Sequence, residues 1–275
     1  MKPPPFDYVR AASLAEAHDI LANEGDDACI LAGGQSLVPM LSMRMARPRV
    51  LIDIMHLAEQ AKIGDRGDTL CVGAAVRQAE LLDWSPLRER QPLLADALPW
   101  IGHAQTRNRG TVCGSIAHAD PSAELPLILL ALKGTVHLSS KTGRRQLAAD
   151  EFFVGMMSTA RKDDELIEAI ELPCRAGGQG FSFREYGRRH GDFAIVACAA
   201  VATGNDVRLA VGGVADRAVA RDFSDIDGKR LDDALHAFAE ELDPRDDLHA
   251  TAAYRQKLVL EFGRMTIEEA RRCRV

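Results

Sequence analysis

The spacing of apolar and polar positions predicts short alternating helices and strands at the start of the chain. Apolar residues recur at helical spacing after Ser13, which together with Glu16 is typical of a capping box, and Gly25 ends that helix. Residues 28–32 and 49–54 are apolar runs of the length expected for buried strands. The first 55 residues therefore predict a small βαβ-type unit.

The same patterns continue through the rest of the chain and indicate two further parts. Strands are predicted at 69–74, 136–138 and 166–172, and helices at 78–82, 93–101 and 124–132. Residues 175–180, rich in glycine, are typical of a linker. Three strands (181–186, 194–202 and 207–214) and three helices (231–242, 250–262 and 267–272) follow. The predicted organisation is 1–55, 56–175 and 176–275.

Composition and charge exclude several classes of protein. The chain of 275 residues is 47% hydrophobic, so a sizeable core is available, and its net charge of −6 argues against a nucleic-acid partner. No apolar run approaches the roughly 18 residues of a membrane span, and the N-terminus lacks the apolar region of a signal peptide. The six cysteines show no C-x-x-C or other short ligand spacing, which argues against an iron–sulfur or zinc site and favours a reducing cytoplasm.

A glycine pair between an apolar run and a second apolar segment is the first candidate site. The segment consists of Leu31, Ala32, Gly33, Gly34, Gln35, Ser36 and Leu37. It predicts a strand that ends, a loop of bare backbone and a helix that begins at Leu37. Such a loop suits an anion such as pyrophosphate, because its main chain can approach closely and its N–H groups are free. An ordinary tight turn between strand and helix explains the same pattern.

A second segment of small residues, 109–121, adds two more glycines, two hydroxyls and an acid. A loop that only closes a turn does not require a second one. Two separate loops without bulky side chains could hold one extended ligand from two sides.

Four motifs, taken together, carry a resemblance to a known family. They are Ala32-Gly33-Gly34-Gln35-Ser36-Leu37, Thr111-Val112-Cys113-Gly114-Ser115, Asp120-Pro121-Ser122-Ala123-Glu124-Leu125-Pro126 and Arg188-Arg189-His190-Gly191-Asp192-Phe193-Ala194. Their order and separations resemble the medium, FAD-binding subunit of the molybdenum hydroxylases, such as the carbon monoxide dehydrogenase medium subunit and the flavin domain of xanthine dehydrogenase. The resemblance covers essentially the whole chain.

The resemblance implies an α+β fold and a function in electron transfer. The fold would be the FAD-binding fold of the vanillyl-alcohol-oxidase/PCMH type in two subdomains, 1–55 and 56–175. Residues 176–275 would form a C-terminal α/β domain with a three-stranded sheet and helices. The chain would hold FAD, while a small subunit carries [2Fe–2S] clusters and a large subunit carries molybdopterin, in a dimer of heterotrimers. Electrons would pass through FAD to an external acceptor.

The resemblance also implies which residues contact the cofactor. The first loop would meet the pyrophosphate through the main-chain N–H groups of Gly33, Gly34, Gln35 and Ser36, and its flanking residues Leu31, Ala32 and Leu37 would also contact the cofactor. Further contacts are implied for Ile101, Gly102, Gly110, Thr111, Gly114, Ser115, Ala117, Asp120, Glu124, Leu166, Ile167 and Phe193. The family's usual Thr-x-Gly-Gly-Asn is altered here, since Cys113 replaces a glycine and Ser115 replaces the asparagine.

Simpler explanations stay open for several of these residues. Asp120 and Glu124 fit acids at the start of a helix, favoured by the helix dipole. Leu166 and Ile167 fit core positions, and Phe193 fits a buried side chain in a β-turn. Cys113 is interpreted as a packed thiol rather than a reactive one beside the flavin.

The sequence predicts no catalytic side chain and no metal ligands. The eight histidines show no ligand spacing, and Gly-x-Ser-x-Gly is absent. Two alternatives to an electron-transfer subunit remain: a stand-alone flavin oxidase of the same fold, and a non-catalytic assembly protein whose loops have lost FAD.

Overall fold

The first part of the computed structural model, which describes residues 2–274, is a three-stranded parallel sheet with two helices. Its elements are β1 (Asp7–Arg10), α1 (Leu14–Glu24), β2 (Ala28–Leu31), α2 (Leu37–Ser42) and β3 (Val50–Asp53). The strand order is β1-β3-β2 with β3 parallel to both neighbours. The Ser13 hydroxyl accepts a hydrogen bond from the Glu16 amide at 3.1 Å, which confirms the predicted cap of α1.

The second part is built on a five-stranded antiparallel sheet. Its strands are β4 (Ile63–Asp65), β5 (Thr69–Gly73), β6 (Thr135–Ser140), β7 (Gly143–Ala148) and β10 (Leu166–Pro173), and β8 (Phe153–Gly155) with β9 (Ser158–Thr159) forms a separate hairpin. Its helices are α3 (Gln78–Leu82), α4 (Leu87–Arg90), α5 (Pro92–Ala97), α6 (Ala104–Arg107), α7 (Val112–His118), α8 (Glu124–Ala131) and α9 (Ala149–Phe152). The strand order β4-β5-β10-β6-β7 brings the two ends of this region together at β5 and β10.

The third part is an antiparallel sheet with two long helices. Its elements are β11 (Gln179–Tyr186), β12 (Val196–Thr203), β13 (Asp206–Gly212), β14 (Val219–Phe223), α10 (Gly228–Glu241) and α11 (Ala252–Arg272). The three predicted strands are present. A fourth strand, β14, pairs with β13 at the edge, so the sheet has four strands where three were expected.

Two cores lie on opposite faces of this C-terminal sheet. Alternate residues of β12 enter different hydrophobic clusters, so Ala197 and Ala199 join the core that contains α8. Val196 and Cys198 join the core formed with α10 and α11. The buried helix α8 therefore packs against the inner face of the C-terminal sheet, and α11 covers the outer face.

Helix α11 corrects the predicted break between 262 and 267. The helix is continuous, and Gly263 lies buried in its middle. A Cβ added at Gly263 would lie 3.3 Å from side-chain carbons of Leu209 and Leu235. The glycine therefore permits close packing on the sheet rather than ending the helix.

Hydrophobicity and length together identify no membrane-crossing candidate among the helices of residues 2–274.

Candidate functional site

The first glycine segment has the predicted local structure. Strand β2 ends at Leu31, and α2 begins at Leu37. Gly34 has φ of +72°, a left-handed conformation that favours glycine. The Val38 amide donates to the Gly34 carbonyl at 3.0 Å, and the Gln35 side-chain amide donates to the Gly33 carbonyl at 3.3 Å. These two bonds fix the path of the loop without using the N–H groups of Gly33 and Gly34.

The second segment is a helix start rather than a loop. Thr111 is the N-cap of α7, and its Oγ1 accepts a hydrogen bond from the Gly114 amide at 3.0 Å. Gly114, Ser115 and Ala117 lie within the helix, which corrects the prediction of a glycine loop there. The Thr111 hydroxyl acts as an acceptor in this cap, so its own proton is left to donate elsewhere.

The two segments meet through bare backbone. A Cβ added at Gly33 would overlap the Arg109 carbonyl oxygen and would lie 2.6 Å from the Gly110 Cα. A Cβ at Gly114 would lie 4.0 Å from that of Ala32. Gly33 therefore has no room for a side chain, because its main chain packs directly against that of 109–110. The two segments form a single cradle of small residues, which fits the extended diphosphate of a dinucleotide.

Gln78 holds the second segment in place, and it is not among the site residues predicted from the sequence. Its main-chain N–H donates to the Gly110 carbonyl at 2.9 Å. Its side-chain amide donates to the Thr111 carbonyl at 3.4 Å, and the residue is 4% exposed. A glutamine at the first position of a short helix has no sequence signal that separates it from a surface residue.

The predicted pair Ile101 and Gly102 lies beside the turn that carries Phe193. A Cβ added at Gly191 would lie 2.8 Å from the Gly102 carbonyl oxygen, so the two loops touch. Trp100 stacks against His190 with ring centroids 4.9 Å apart. Phe193 is 65% exposed. The alternative of a buried Phe in a β-turn is therefore wrong, and the ring is free to cover a ligand.

The Arg107 guanidinium holds the main chain of this loop. Its Nη1 donates to the carbonyl oxygens of Pro99, Ile101 and Gly102 at 3.3, 2.8 and 3.0 Å. The sequence analysis did not single out this arginine, since its function depends on carbonyl groups that only the folded loop brings together.

The two acids differ in their surroundings. The Asp120 carboxylate accepts a hydrogen bond from the Ser122 amide at 2.8 Å, which closes the turn before α8. Glu124 begins α8 and is only 6% exposed. Burial raises its pKa to about 7, with a further contribution from Asp120, whereas its own amide and Arg107 act in the opposite direction. An acid that served only the helix dipole would not need to be buried.

Leu166 and Ile167 are core residues of β10, 1% and 5% exposed. The strand has an irregular register between Ile167 and Ala169, where it pairs with β6. The side chains of this pair therefore pack inward, which leaves their main chain as the part that a ligand could reach.

Cys113 is a packed thiol. It is 3% exposed and its Sγ lies 3.5 Å from the Val72 carbonyl oxygen. Burial raises the pKa of this thiol far above its ordinary value, so a reactive thiolate is disfavoured.

A separate cavity is lined by none of these residues. It has a volume of about 710 Å³ and lies between the five-stranded sheet and the C-terminal sheet. Its lining includes Gln91, Lys133, Cys174, Arg208 and Asp222 and none of the residues predicted to contact FAD. The candidate site is instead formed by the loop at 32–36, the start of α7 and the loops that adjoin them.

Comparison with known proteins places the chain among flavin-binding subunits. Residues 4–175 match the family model described as the FAD binding domain in molybdopterin dehydrogenase, and residues 181–270 match the CO dehydrogenase flavoprotein C-terminal domain. The chain is 38% identical to the 6-hydroxypseudooxynicotine dehydrogenase complex subunit alpha of Paenarthrobacter nicotinovorans, over 98% of this chain and 96% of that protein. It is also 38% identical to the nicotine 6-hydroxylase medium subunit of the same organism, over 98% and 99%.

A solved structure agrees with these relatives. A chain of carbon monoxide dehydrogenase from Hydrogenophaga pseudoflava, in a form that lacks the Mo-pyranopterin moiety of the molybdenum cofactor, superposes with a TM-score of 0.93. It is 32% identical, and the match covers 100% of both chains. The predicted α+β fold and the resemblance found in the sequence are confirmed.

Proposed function

The chain belongs to the family of FAD-binding domains in molybdopterin dehydrogenases, and we propose that it is the electron-transfer subunit of such an enzyme. It is an oxidoreductase subunit that binds FAD. The observation that carries the proposal is the contact of the Gly33 main chain with Arg109 and Gly110, which makes one cradle from two distant segments. FAD, when bound, supplies the redox chemistry and passes electrons to an external acceptor.

The proposed role of the cradle is to hold the pyrophosphate of FAD. The main-chain N–H groups of Gly33 and Gly34 take no part in the two hydrogen bonds that fix the loop and would donate to phosphate oxygens. Thr111 would donate its hydroxyl proton from the other side. The remaining proposed contacts are Leu31, Ala32, Gln35, Ser36, Leu37, Gly110, Gly114, Ser115 and Ala117 around the cradle.

The proposed position of the flavin ring is beside the start of α8, β10 and the turn at 188–193. Ile101, Gly102 and the main chain of Leu166 and Ile167 would line one side of it. Exposed Phe193 would cover the other side and shield the ring from water. Asp120 and Glu124 would form hydrogen bonds with the ribityl or ribose hydroxyls, as acceptors when ionised and as donors when protonated.

The proposed partners complete the electron path. We assign [2Fe–2S] clusters to a small subunit and molybdopterin to a large subunit, in a dimer of heterotrimers located in the cytoplasm. The names of the matched family and of the carbon monoxide dehydrogenase structure, which refer to molybdopterin and the molybdenum cofactor, support the proposed molybdopterin subunit. The proposed division of the chain is 1–55, 56–175 and 176–275, and the end of the first family match at 175 supports the second boundary.

A flavin titration tests the cradle. The purified chain is expected to take up FAD, with a perturbed flavin absorbance spectrum, whereas Gly33→Ala is expected to weaken FAD binding by at least tenfold, or about 1.4 kcal/mol. The added methyl group overlaps the main chain of 109–110, so the two segments must separate. Gly143→Ala is the matched control, since a Cβ at that glycine meets no atom within 4 Å.

Two outcomes would contradict the proposal. An unsubstituted, folded chain that takes up no flavin would leave only an assembly role. A flavin-loaded chain that oxidises an organic substrate alone, and purifies without iron–sulfur and molybdenum subunits, would favour a stand-alone oxidase.

A further inference from the structure

A buried carboxyl group, that of Glu185, lies near the end of β11 on the inner face of the C-terminal sheet. Phe181 and Phe183 precede it at alternate positions of the strand and join the core on that face. Its register partner in β12, Ala197, belongs to the same core. Because the side chains of a strand alternate between the two faces, Glu185 occupies a position that this pattern assigns to an apolar side chain.

This carboxyl group lacks a partner where it is most buried. Glu185 is 8% exposed, and its Oε2 is fully buried with no hydrogen-bond partner among residues 2–274. A buried polar atom without a hydrogen bond costs folding free energy, so native proteins keep few of them. Such an atom indicates a partner from outside the chain, which can be an ordered water molecule or a ligand.

Two contacts bring the end of β11 to the proposed flavin site. The Phe183 ring packs edge-on against Trp100, with ring centroids 6.3 Å apart, and Trp100 lies in the loop that continues to Gly102. Glu185 lies two residues beyond Phe183 on the same face, about 7 Å further along the strand. The strand then leads into the turn in which a Cβ on Gly191 would lie 2.8 Å from the Gly102 carbonyl oxygen. Glu185 therefore lies where the strand, the loop and the turn come together.

The surroundings keep this carboxyl group neutral. Burial raises the pKa of Glu185 to about 8, and the charge of Glu124 adds to this effect. Glu124 begins α8, the helix that packs against the inner face of the sheet. At neutral pH Glu185 is therefore mostly a protonated acid, with an O–H group that donates and oxygen lone pairs that accept.

One edge of a flavin ring matches a protonated acid. The pyrimidine edge carries an N–H group between two carbonyl groups, whereas the dimethylbenzene edge carries only carbon and hydrogen. A neutral carboxyl group can donate to a ring carbonyl and accept from the ring N–H at the same time. An ionised carboxylate could accept from the N–H but could not donate to the carbonyl.

We propose that Glu185 is a further flavin-binding residue, whose carboxyl group forms hydrogen bonds with the pyrimidine edge of the ring. This inference rests on the proposed function, because it requires FAD in the site beside α8, β10 and the turn at 188–193. The flavin would supply the hydrogen-bond partner that Oε2 lacks within residues 2–274. Glu185 is not among the contacts predicted from the sequence, because its place depends on the register of β11 and on the folded turn.

FAD titration of full-length variants tests the contact. Glu185→Leu removes the donor and the acceptor at similar size, and it is expected to weaken FAD binding about tenfold. Glu185→Gln keeps a donor and an acceptor, and it is expected to stay within about twofold of the unsubstituted chain. Ser182→Ala is the matched control on the outer face of the same strand, where the Ser182 Oγ lies 3.5 Å from the Glu269 Oε2, and FAD affinity is expected to stay unchanged.

Two further measurements separate a ligand contact from a structural role. The thermal midpoint of the FAD-free Glu185→Leu chain is expected to equal or exceed that of the unsubstituted chain, because the substitution removes a buried polar atom without a partner. A ring carbonyl stretch of bound, isotopically labelled FAD is expected to move to higher frequency in Glu185→Leu, because a hydrogen bond weakens the carbonyl bond. The same stretch is expected to stay near its original frequency in Glu185→Gln.

A flavin analogue tests the contact from the ligand side. 3-Methyl-FAD has no N–H group at the pyrimidine edge, so it is expected to bind the unsubstituted chain about tenfold more weakly than FAD. In Glu185→Leu the ratio of the two affinities is expected to be clearly smaller, because the partner of the N–H group is already absent. Equal ratios in the two proteins would overturn the contact.

The outcomes also separate this inference from the proposed function. If the unsubstituted chain takes up FAD, and Glu185→Leu binds it equally well with unchanged carbonyl stretches, the inference is wrong while the proposed function stands. If Ser182→Ala weakens FAD binding as much as Glu185→Leu, disturbance of β11 is the cause and the inference is wrong. If the unsubstituted chain takes up no FAD, the proposed function fails, and the inference fails with it. Should Glu185→Leu not fold, Glu185→Met gives the same comparison.

Discussion

The two faces of the C-terminal sheet differ in how their buried charged side chains are bonded. On the outer face, Arg255 is 5% exposed and donates to the carbonyls of Ile195 and Gly213 at 2.7 and 2.5 Å. It also pairs with Asp247 at 2.5 Å. On the inner face, Glu185 is nearly as buried, and within residues 2–274 its Oε2 has no hydrogen-bond partner. The buried charge of the outer face is bonded to carbonyls and a carboxylate, whereas the inner face holds a carboxyl group whose pKa burial raises to about 8.

Removal of Arg255 is expected to have the largest effect on stability. Arg255→Met leaves the carbonyls of Ile195 and Gly213 and the Asp247 Oδ2 without this donor, so the free energy of unfolding is expected to fall by about 3 kcal/mol. Urea denaturation at neutral pH measures it. Lys257→Met on the exposed side of the same helix is the control, and an equal loss in both variants would refute the structural role of Arg255.

Glu185→Gln is expected to act in the opposite direction, and only at high pH. Burial raises the pKa of Glu185 to about 8 from an ordinary value of 4.5, so the folded state holds a proton that the unfolded state has lost. The stability of the unsubstituted chain therefore falls as pH rises from the lower value to the higher one. The glutamine variant is expected to be more stable by about 2 kcal/mol near pH 8, with little difference near pH 4.

Thermal unfolding at these two pH values checks this prediction, with Glu268→Gln as the exposed control. A glutamine variant that is less stable than the unsubstituted chain at both pH values would show that Glu185 is held by a partner and is a structural charge like Arg255.

The pair of Arg184 and Glu269 is expected to give the smallest effect. It joins β11 to α11 on the outer face, but both side chains are about one-third exposed, at 31% and 37%. Glu269→Gln is expected to lower the free energy of unfolding by about 0.5 kcal/mol, and by less at high salt. Urea denaturation at low and high salt measures this loss. A loss as large as that of Arg255→Met would mean that the greater exposure of the Arg184–Glu269 pair does not reduce its contribution to stability.

Local features of the site were predictable where a short pattern determines them. The glycine pair at 33–34 allowed the strand end, the loop and the start of α2 to be predicted, because adjacent glycines are typical of a turn with a left-handed φ, as at Gly34, or of close main-chain packing, as at Gly33. The cap at Thr111 was less visible, since Cys113, Gly114 and Ser115 are poor helix formers and the helix depends on the burial of Val112 and Ile116. Packing therefore overrode local propensity there.

Features that depend on distant contacts could not be predicted from the sequence. The contact of Gly33 with 109–110, and the alignment of Glu185 in β11 with Ala197 in β12 and Gly212 in β13, both require the register of separate elements. The pair of Arg184 and Glu269 likewise joins residues 85 positions apart. The short edge strand β14, Val219–Phe223, was missed because its charged residues hide the alternation of a strand.

Because Gly33 contacts Arg109 and Gly110, binding of the cofactor affects how firmly the first part of the chain is held to the second. A molecule bound by both segments links the N-terminal βαβ unit to the second part of the chain. Its binding free energy therefore adds to the free energy needed to separate the two parts. Loss of FAD would then loosen the beginning of the protein first, and limited proteolysis would cut between β3 and β4 before it reached the C-terminal sheet.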